Sequence, residues 1–161
     1  MINHKELDYK ILREPNEAII NLLSDTIYGS KGLRYAHQNV EERIYDLINP
    51  HFHTLWKGDE LLAVATYCHR VTECLGSELP VIYIRYFAVN KHYQSKGLGK
   101  KLTQFLSDYY SETIKVPTIF YAYIEKKNIR SLGVSKRFEQ IVVGQFKTTY
   151  FSRFFPKIQI D

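Results

Sequence analysis

The chemistry-bearing stretch of this chain is Asn90-Lys91-His92-Tyr93-Gln94-Ser95-Lys96-Gly97-Leu98-Gly99-Lys100-Lys101, which follows the apolar run Val81–Val89. A strand that ends in a basic, glycine-containing turn and then opens a helix can bind a phosphate. Four N–H groups at a helix start lack intrahelical partners, and the aligned peptide dipoles add about half a positive charge there. Gly97 and Gly99 carry no side chain, so an anion can approach the main chain closely. Lys96, Lys100 and Lys101 add mobile positive charge, and the site is sized for a pyrophosphate. A Walker loop is excluded, because one residue rather than four separates the glycines. A Rossmann turn is also excluded, since Leu102 stands where the third glycine belongs. The spacing alone fits a flexible glycine turn beside a solvated lysine face equally well.

Other chemistries find less support. His51, His53, Cys68, His69 and Cys74 show neither Cys-x-x-Cys nor His-Glu-x-x-His spacing, so no metal is expected. His53 and His69 can titrate near neutrality, but they are expected to be partly exposed surface. No Gly-x-Ser-x-Gly elbow supports a serine nucleophile. Two cysteines make no disulfide framework.

Elements must position the basic turn. The 161 residues carry 22 Lys and Arg against 17 Asp and Glu, a net +5, with a pI near 9.1. That suits an anionic ligand but is too mild and dispersed for nucleic acid. The length predicts one domain over residues 1–161. No apolar run approaches a membrane span, and Met1–Glu6 offers no signal peptide, so a cytoplasmic protein without membrane contact is expected. Periodicity predicts a strand at Tyr9–Arg13, a helix from Pro15 through Ile27 stopped by Gly29–Gly32, and a short helix over Val40, Ile44 and Leu47. Strands follow at Phe52–Trp56 and Leu61–Val71, joined by a hairpin turn. Thr72–Pro80 reads as a loop and Val81–Val89 as the strongest strand. A helix begins at Leu98, a strand covers Thr118–Ile124, a short helix covers Asn128–Arg137, and closing strands run through Glu139–Phe155. The class is α/β (α+β), a mixed sheet with helices on both faces.

At this point Gln94-Ser95-Lys96-Gly97-Leu98-Gly99 resembles the Gln/Arg-x-x-Gly-x-Gly/Ala loop of the GCN5-related N-acetyltransferases, the GNAT superfamily. Phe87-Ala88-Val89 is similar to the strand end that precedes that loop. A second block, the strand Thr118–Ile124 leading to Asn128, Ser131 and Phe138, has its counterpart too. The resemblance implies a mostly antiparallel central sheet of six to seven strands, split by a V-shaped cleft at a bulge. It implies that acetyl-CoA lies in the cleft, its pantetheine arm paired with backbone groups of Phe87, Ala88 and Val89. Gln94, Ser95, Lys96, Gly97, Leu98, Gly99 and Lys100 would then hold the pyrophosphate, with Asn128 and Ser131 facing the cofactor. As an alternative or an addition, Asn128 is a helix N-cap. Lys126, Lys127, Arg130, Lys136 and Arg137 form either a solvated face or a contact for the 3′-phosphate of CoA.

Acetyl transfer to an amine needs proton movement, because a lysine-like amine is neutral in only about one molecule in 2,500 at pH 7. The family often carries a base at the strand positions occupied here by Tyr83 and Arg85. Tyr83 can relay a proton through water. Arg85 is either an anchor for a substrate carboxylate or an ion-pair partner of Glu125 or Glu73. Many members have a tyrosine that protonates the thiolate where this chain has Ser135, with Gly133 as the alternative equivalent. Ser135, water, Tyr121 or Tyr123 can serve, or the thiolate leaves unassisted. The implied activity is direct acetyl transfer from acetyl-CoA to a primary amine of a small molecule or peptide. The runner-up is a CoA-binding module without turnover. The tail Tyr150–Pro156 reads as a core-edge strand or a homodimer contact.

Overall fold

The computed structural model describes residues 6–30, 33–126, 128–136 and 141–145. The elements are β1 (Asp8–Leu12), α1 (Glu17–Ser24), β2 (Tyr28–Ser30), β3 (Leu33–Tyr35), α2 (Val40–Tyr45), β4 (Pro50–Lys57), β5 (Glu60–Cys74), β6 (Ser77–Val89), α3 (Leu98–Thr113), β7 (Ile119–Ala122) and α4 (Ile129–Ser135). The central sheet runs β1-β4-β5-β6-β7, antiparallel except for the parallel β6–β7 pair, and β2 and β3 form a separate hairpin. This is the mixed, mostly antiparallel α/β architecture that the resemblance implies.

Side chains alternate between the faces of a strand, and the two sets here meet different helices. Phe52, Trp56, Val64, Tyr86 and Ala88 pack with Ile19 and Leu23 of α1 and Val40 and Ile44 of α2. Leu55, Ala63, Ala65, Tyr67 and Ile82 pack with Leu102, Leu106 and Tyr110 of α3. Leu98, Leu102, Leu106 and Tyr110 recur every four residues, so one stripe of α3 is buried. Leu102 is fully enclosed, and Leu102→Ala is expected to cost about 3 kcal/mol of stability. A lowered urea midpoint at unchanged slope would report it.

Several expectations need correction. Thr72–Pro80 is not a loop: β5 and β6 stay paired out to Cys74 and Ser77. The chain reverses at Leu75 and Gly76, both at positive φ (52° and 77°), the backbone of a two-residue hairpin turn. Solvent reaches both faces of this arm, so no apolar alternation marks it. Helix α1 begins at Glu17, where the Asn16 side chain accepts the Ile19 N–H at 3.0 Å, and it ends at Ser24. Ile27 is 65% exposed, so its helical spacing buries nothing, and the segment meant to stop the helix contributes β2. The predicted strand Thr118–Ile124 is shorter, Ile119–Ala122. Of the closing strands at Glu139–Phe155, residues 141–145 have no regular structure. The remainder, Phe138 and the Tyr150–Pro156 tail lie outside the described residues.

Candidate active site

The site is built where β6 parts from β7. The two strands pair from Val81↔Ile119 to Ile84↔Ala122, and the pairing stops there. On the other edge Tyr67 pairs with Ile84 and Thr66 with Tyr86, which leaves Arg85 as an extra residue, a β-bulge. Bulge and separation coincide. Beyond them, among the described residues, Phe87, Ala88 and Val89 are held by β5 on one edge only, and their other edge faces the gap. This is the split that the resemblance predicts.

The loop that follows is shaped by its backbone. Asn90 accepts the His92 N–H at 3.1 Å and caps the short 3₁₀ turn Lys91–Tyr93. Ser95 (φ 62°) and Gly97 (φ 81°) both lie in the left-handed region. Such turns bring successive N–H groups to one side and form anion-binding concavities. Gly97 is the N-cap of α3 without a side-chain cap, and the first turn carries no acid. The first intrahelical bond runs from Lys101 N–H to the Gly97 carbonyl at 3.0 Å. The amides of Leu98, Gly99 and Lys100 therefore precede it and point out of the helix end. Leu98 is buried and anchors the start. A Cβ on Gly99 would lie 3.6 Å from Phe87 Cε1 and 3.9 Å from Val89 Cγ2, so α3 begins directly against the unpaired end of β6. Not every predicted contributor is mobile. Lys96 donates to the His92 carbonyl at 3.0 Å and lies 4.9 Å from the Tyr93 ring centre, and the Gln94 side chain reaches the Val89 carbonyl at 3.3 Å.

Asn128 caps α4, accepting the Ser131 N–H at 3.1 Å. Ser135 spends its hydroxyl on the Leu132 carbonyl, 2.9 Å away. Tyr83 stacks on Tyr121 of β7, ring centres 4.9 Å apart. Burial pushes the Tyr83 hydroxyl above its usual range, partly offset by the Arg85 charge. The phenol is thus neutral near pH 7, suited to relaying a proton and not to abstracting one unaided. Arg85 lies 5.3 Å from the Tyr86 ring centre. Its expected pairing with Glu125 or Glu73 does not occur: among the described residues the ion pairs are Lys57–Glu6 and Lys91–Asp25.

The histidines required the structure. His53 is fully buried, not partly exposed as expected. Its Nδ1 meets the Tyr9 hydroxyl and its Nε2 lies 3.1 Å from the Tyr110 hydroxyl. His69 Nε2 meets the same hydroxyl at 3.1 Å, and the His51 and His69 rings stack at 3.7 Å. His53 pairs with Ala65 and His69 with Ile82, residues that face α3. Strand alternation puts Tyr83 on the opposite face, so the histidines and Tyr83 are not brought together. No group of His, Cys, Asp and Glu able to hold a metal occurs among the described residues, and no helix among them is long and apolar enough to cross a membrane.

Comparison with known proteins now bears on the split and its loop. Residues 16–139 match the Acetyltransferase (GNAT) family. The chain belongs to the GNAT acetyltransferase family. It is 35% identical over 57 residues to a probable spermine N(1)-acetyltransferase of Bacillus subtilis subsp. natto. That stretch is 35% of this chain, and the chain spans 37% of the length of that relative. An aminoglycoside acetyltransferase from an uncultured soil metagenomic sample superposes with a TM-score of 0.62 at 20% identity, over 92% of this chain and 97% of that one. A ribosomal-protein-alanine N-acetyltransferase from Brucella melitensis biovar Abortus 2308 superposes with a TM-score of 0.60 at 15% identity, over 90% and 99%. At such identities these two structures establish the fold alone. Family membership supports acetyl-CoA-dependent acyl transfer in general terms.

Proposed function

We propose that this GNAT protein transfers an acetyl group from acetyl-CoA to a primary amine of a small molecule or peptide, directly, with both substrates bound together. The observation that carries the reading is the continuity of one surface. The edge of Phe87–Val89, freed where β6 leaves β7, runs into the uncapped start of α3. The main chain of Gln94–Lys100 is suited to holding the pyrophosphate, and the free strand edge to pairing with the pantetheine arm. Asn128 and Ser131, linked to each other at the start of α4, are placed in this reading on the cofactor side.

In the reaction the amine nitrogen bonds to the acetyl carbon, the carbon–sulfur bond breaks, and the amine proton must leave. Neutral Tyr83 passes that proton through water. Strand N–H groups beside the bulge are available to stabilise the charge that develops on the carbonyl oxygen. Ser135 remains the candidate donor to the departing sulfur, although its hydroxyl would first have to leave the Leu132 carbonyl.

A second reading, a CoA-binding module without turnover, draws on two observations. Tyr83 is a weak base, and the Ser135 hydroxyl is already engaged. Calorimetry with acetyl-CoA followed by thiol release over a panel of amines separates the readings. Binding with release is expected. Binding without release for every amine would favour the module, and absence of binding would end both.

A further inference from the structure

Arg70, Cys68, Tyr83 and Arg85 share the face of the sheet opposite α3. Cys68 lies cross-strand from Tyr83, and Arg70 from Val81. The Arg70 guanidinium carbon is 5.5 Å from the Tyr83 ring centre, while Arg85 sits at the bulge over Tyr86. Burial pushes the Cys68 thiol up, and the nearby Arg70 and Arg85 charges offset part of that rise. Neither arginine forms an ion pair among the described residues, although the Arg70 Nε atom is shielded from solvent and has no hydrogen-bond partner in the protein. On the same face, the cross-strand neighbours Thr66 and Tyr86 are buried, Tyr86 to 1% exposure. The Thr66 hydroxyl likewise has no protein partner, while the Tyr86 hydroxyl has the Arg85 side chain as its neighbour. Around the Cys68–Tyr83 pair the described residues therefore supply two guanidinium groups without a carboxylate and one enclosed hydroxyl without a partner.

Arg85 is exposed to solvent, whereas Arg70 is half-buried, and its shielded, unpartnered Nε costs free energy. A guanidinium recovers most from an oxyanion, which accepts two parallel N–H bonds. A polycation would instead meet like charge at the mouth of the cleft. We propose that the acceptor is an amine that also bears an oxyanion, a carboxylate or a phosphate, and that Arg70 and Arg85 bind that anion on the Tyr83 face. The proposal rests on the acetyl-transfer reading and narrows its acceptor. It runs against a polyamine such as the substrate named for the Bacillus relative.

The test uses the full chain, acetyl-CoA and matched amines. These are 5-aminopentanoate against 5-aminopentanamide, O-phosphoethanolamine against ethanolamine, and 1,5-diaminopentane and spermine as cations. The anionic member of at least one pair is expected to show kcat/KM roughly 10-fold or more above its neutral partner, mainly through KM. The preferred pair distinguishes carboxylate from phosphate. In Arg70→Gln and Arg85→Gln that ratio should fall toward one, and Arg85→Lys should keep part of it, with thermal unfolding confirming that each variant is folded. Equal use of both members, or preference for the diamine or spermine, would overturn the proposal. If acetyl-CoA binds but no amine of the set is bound or turned over, the anion subsite fails alone. If acetyl-CoA does not bind, the acetyl-transfer reading fails first and takes the subsite with it.

Discussion

Gly97→Val is expected to weaken acetyl-CoA binding roughly 100-fold, with two physical causes that can be separated. The first is conformational. Gly97 sits at φ 81°, where an L side chain costs about 1–2 kcal/mol and a β-branched one more. Nothing lies within 4 Å of a Cβ built there, so crowding inside the protein adds no further penalty. The second cause is obstruction, because a side chain at the helix start stands between the amides of residues 98–100 and an approaching phosphate. Hydrogen bonds to a charged group contribute about 1.5–3 kcal/mol each, so losing one or two accounts for the effect. Gly97→Asn separates the causes, since asparagine tolerates the left-handed region. It should nearly restore the melting temperature and still bind the cofactor more weakly. Gly99→Ala provides the contrast. Its new methyl would meet Phe87 at 3.6 Å, an ordinary contact, and both stability and affinity should hold. Calorimetric titration with acetyl-CoA measures all three variants, and unchanged affinity in Gly97→Val would remove the diphosphate from this loop.

Acid sensitivity should be the second large effect. Burial, followed by the charges of His51, His69 and Arg13, lowers the His53 pKa to about 3. His51 is lowered to about 4, again by burial first, then by His69 and Arg13, and His69 moves the same way. In the unfolded chain each titrates near 6.5. Below that pH the unfolded state gains protons that the folded state refuses, so stability is fully present above about pH 6.5 and falls as the pH drops toward 4. For His53 alone the loss reaches about 2 kcal/mol at pH 5. His51 and His69 add to it in the same direction. Urea midpoints at pH 7 and pH 5 measure the sum. His53→Gln, which keeps hydrogen-bonding capacity for Tyr9 and Tyr110 without titrating, should flatten the dependence. A wild-type midpoint that did not move between these pH values would mean that the histidines are not held neutral.

The chain by itself determined what depends on local chemistry. An apolar β-branched run, a basic turn with glycines one residue apart and a four-residue apolar stripe specify strand, anion-binding turn and helix, because each is decided by neighbours a few residues away. Asn128 as a cap was legible for the same reason. Tertiary structure decided whatever depends on which strands lie side by side. The Arg85 bulge arises from register between β5 and β6, and the split from where β7 stops pairing. Neither leaves a mark in the residue types of one strand. The arm Thr72–Pro80 escaped notice because solvent on both faces erases the alternation by which strands are read. The same limit hid the histidines, since three single residues at odd positions of two strands give no sign that α3 will close over them. It also hid that Arg70 and Arg85 meet no carboxylate among the described residues, because which charges face one another is set by the whole surrounding surface and no segment can announce it.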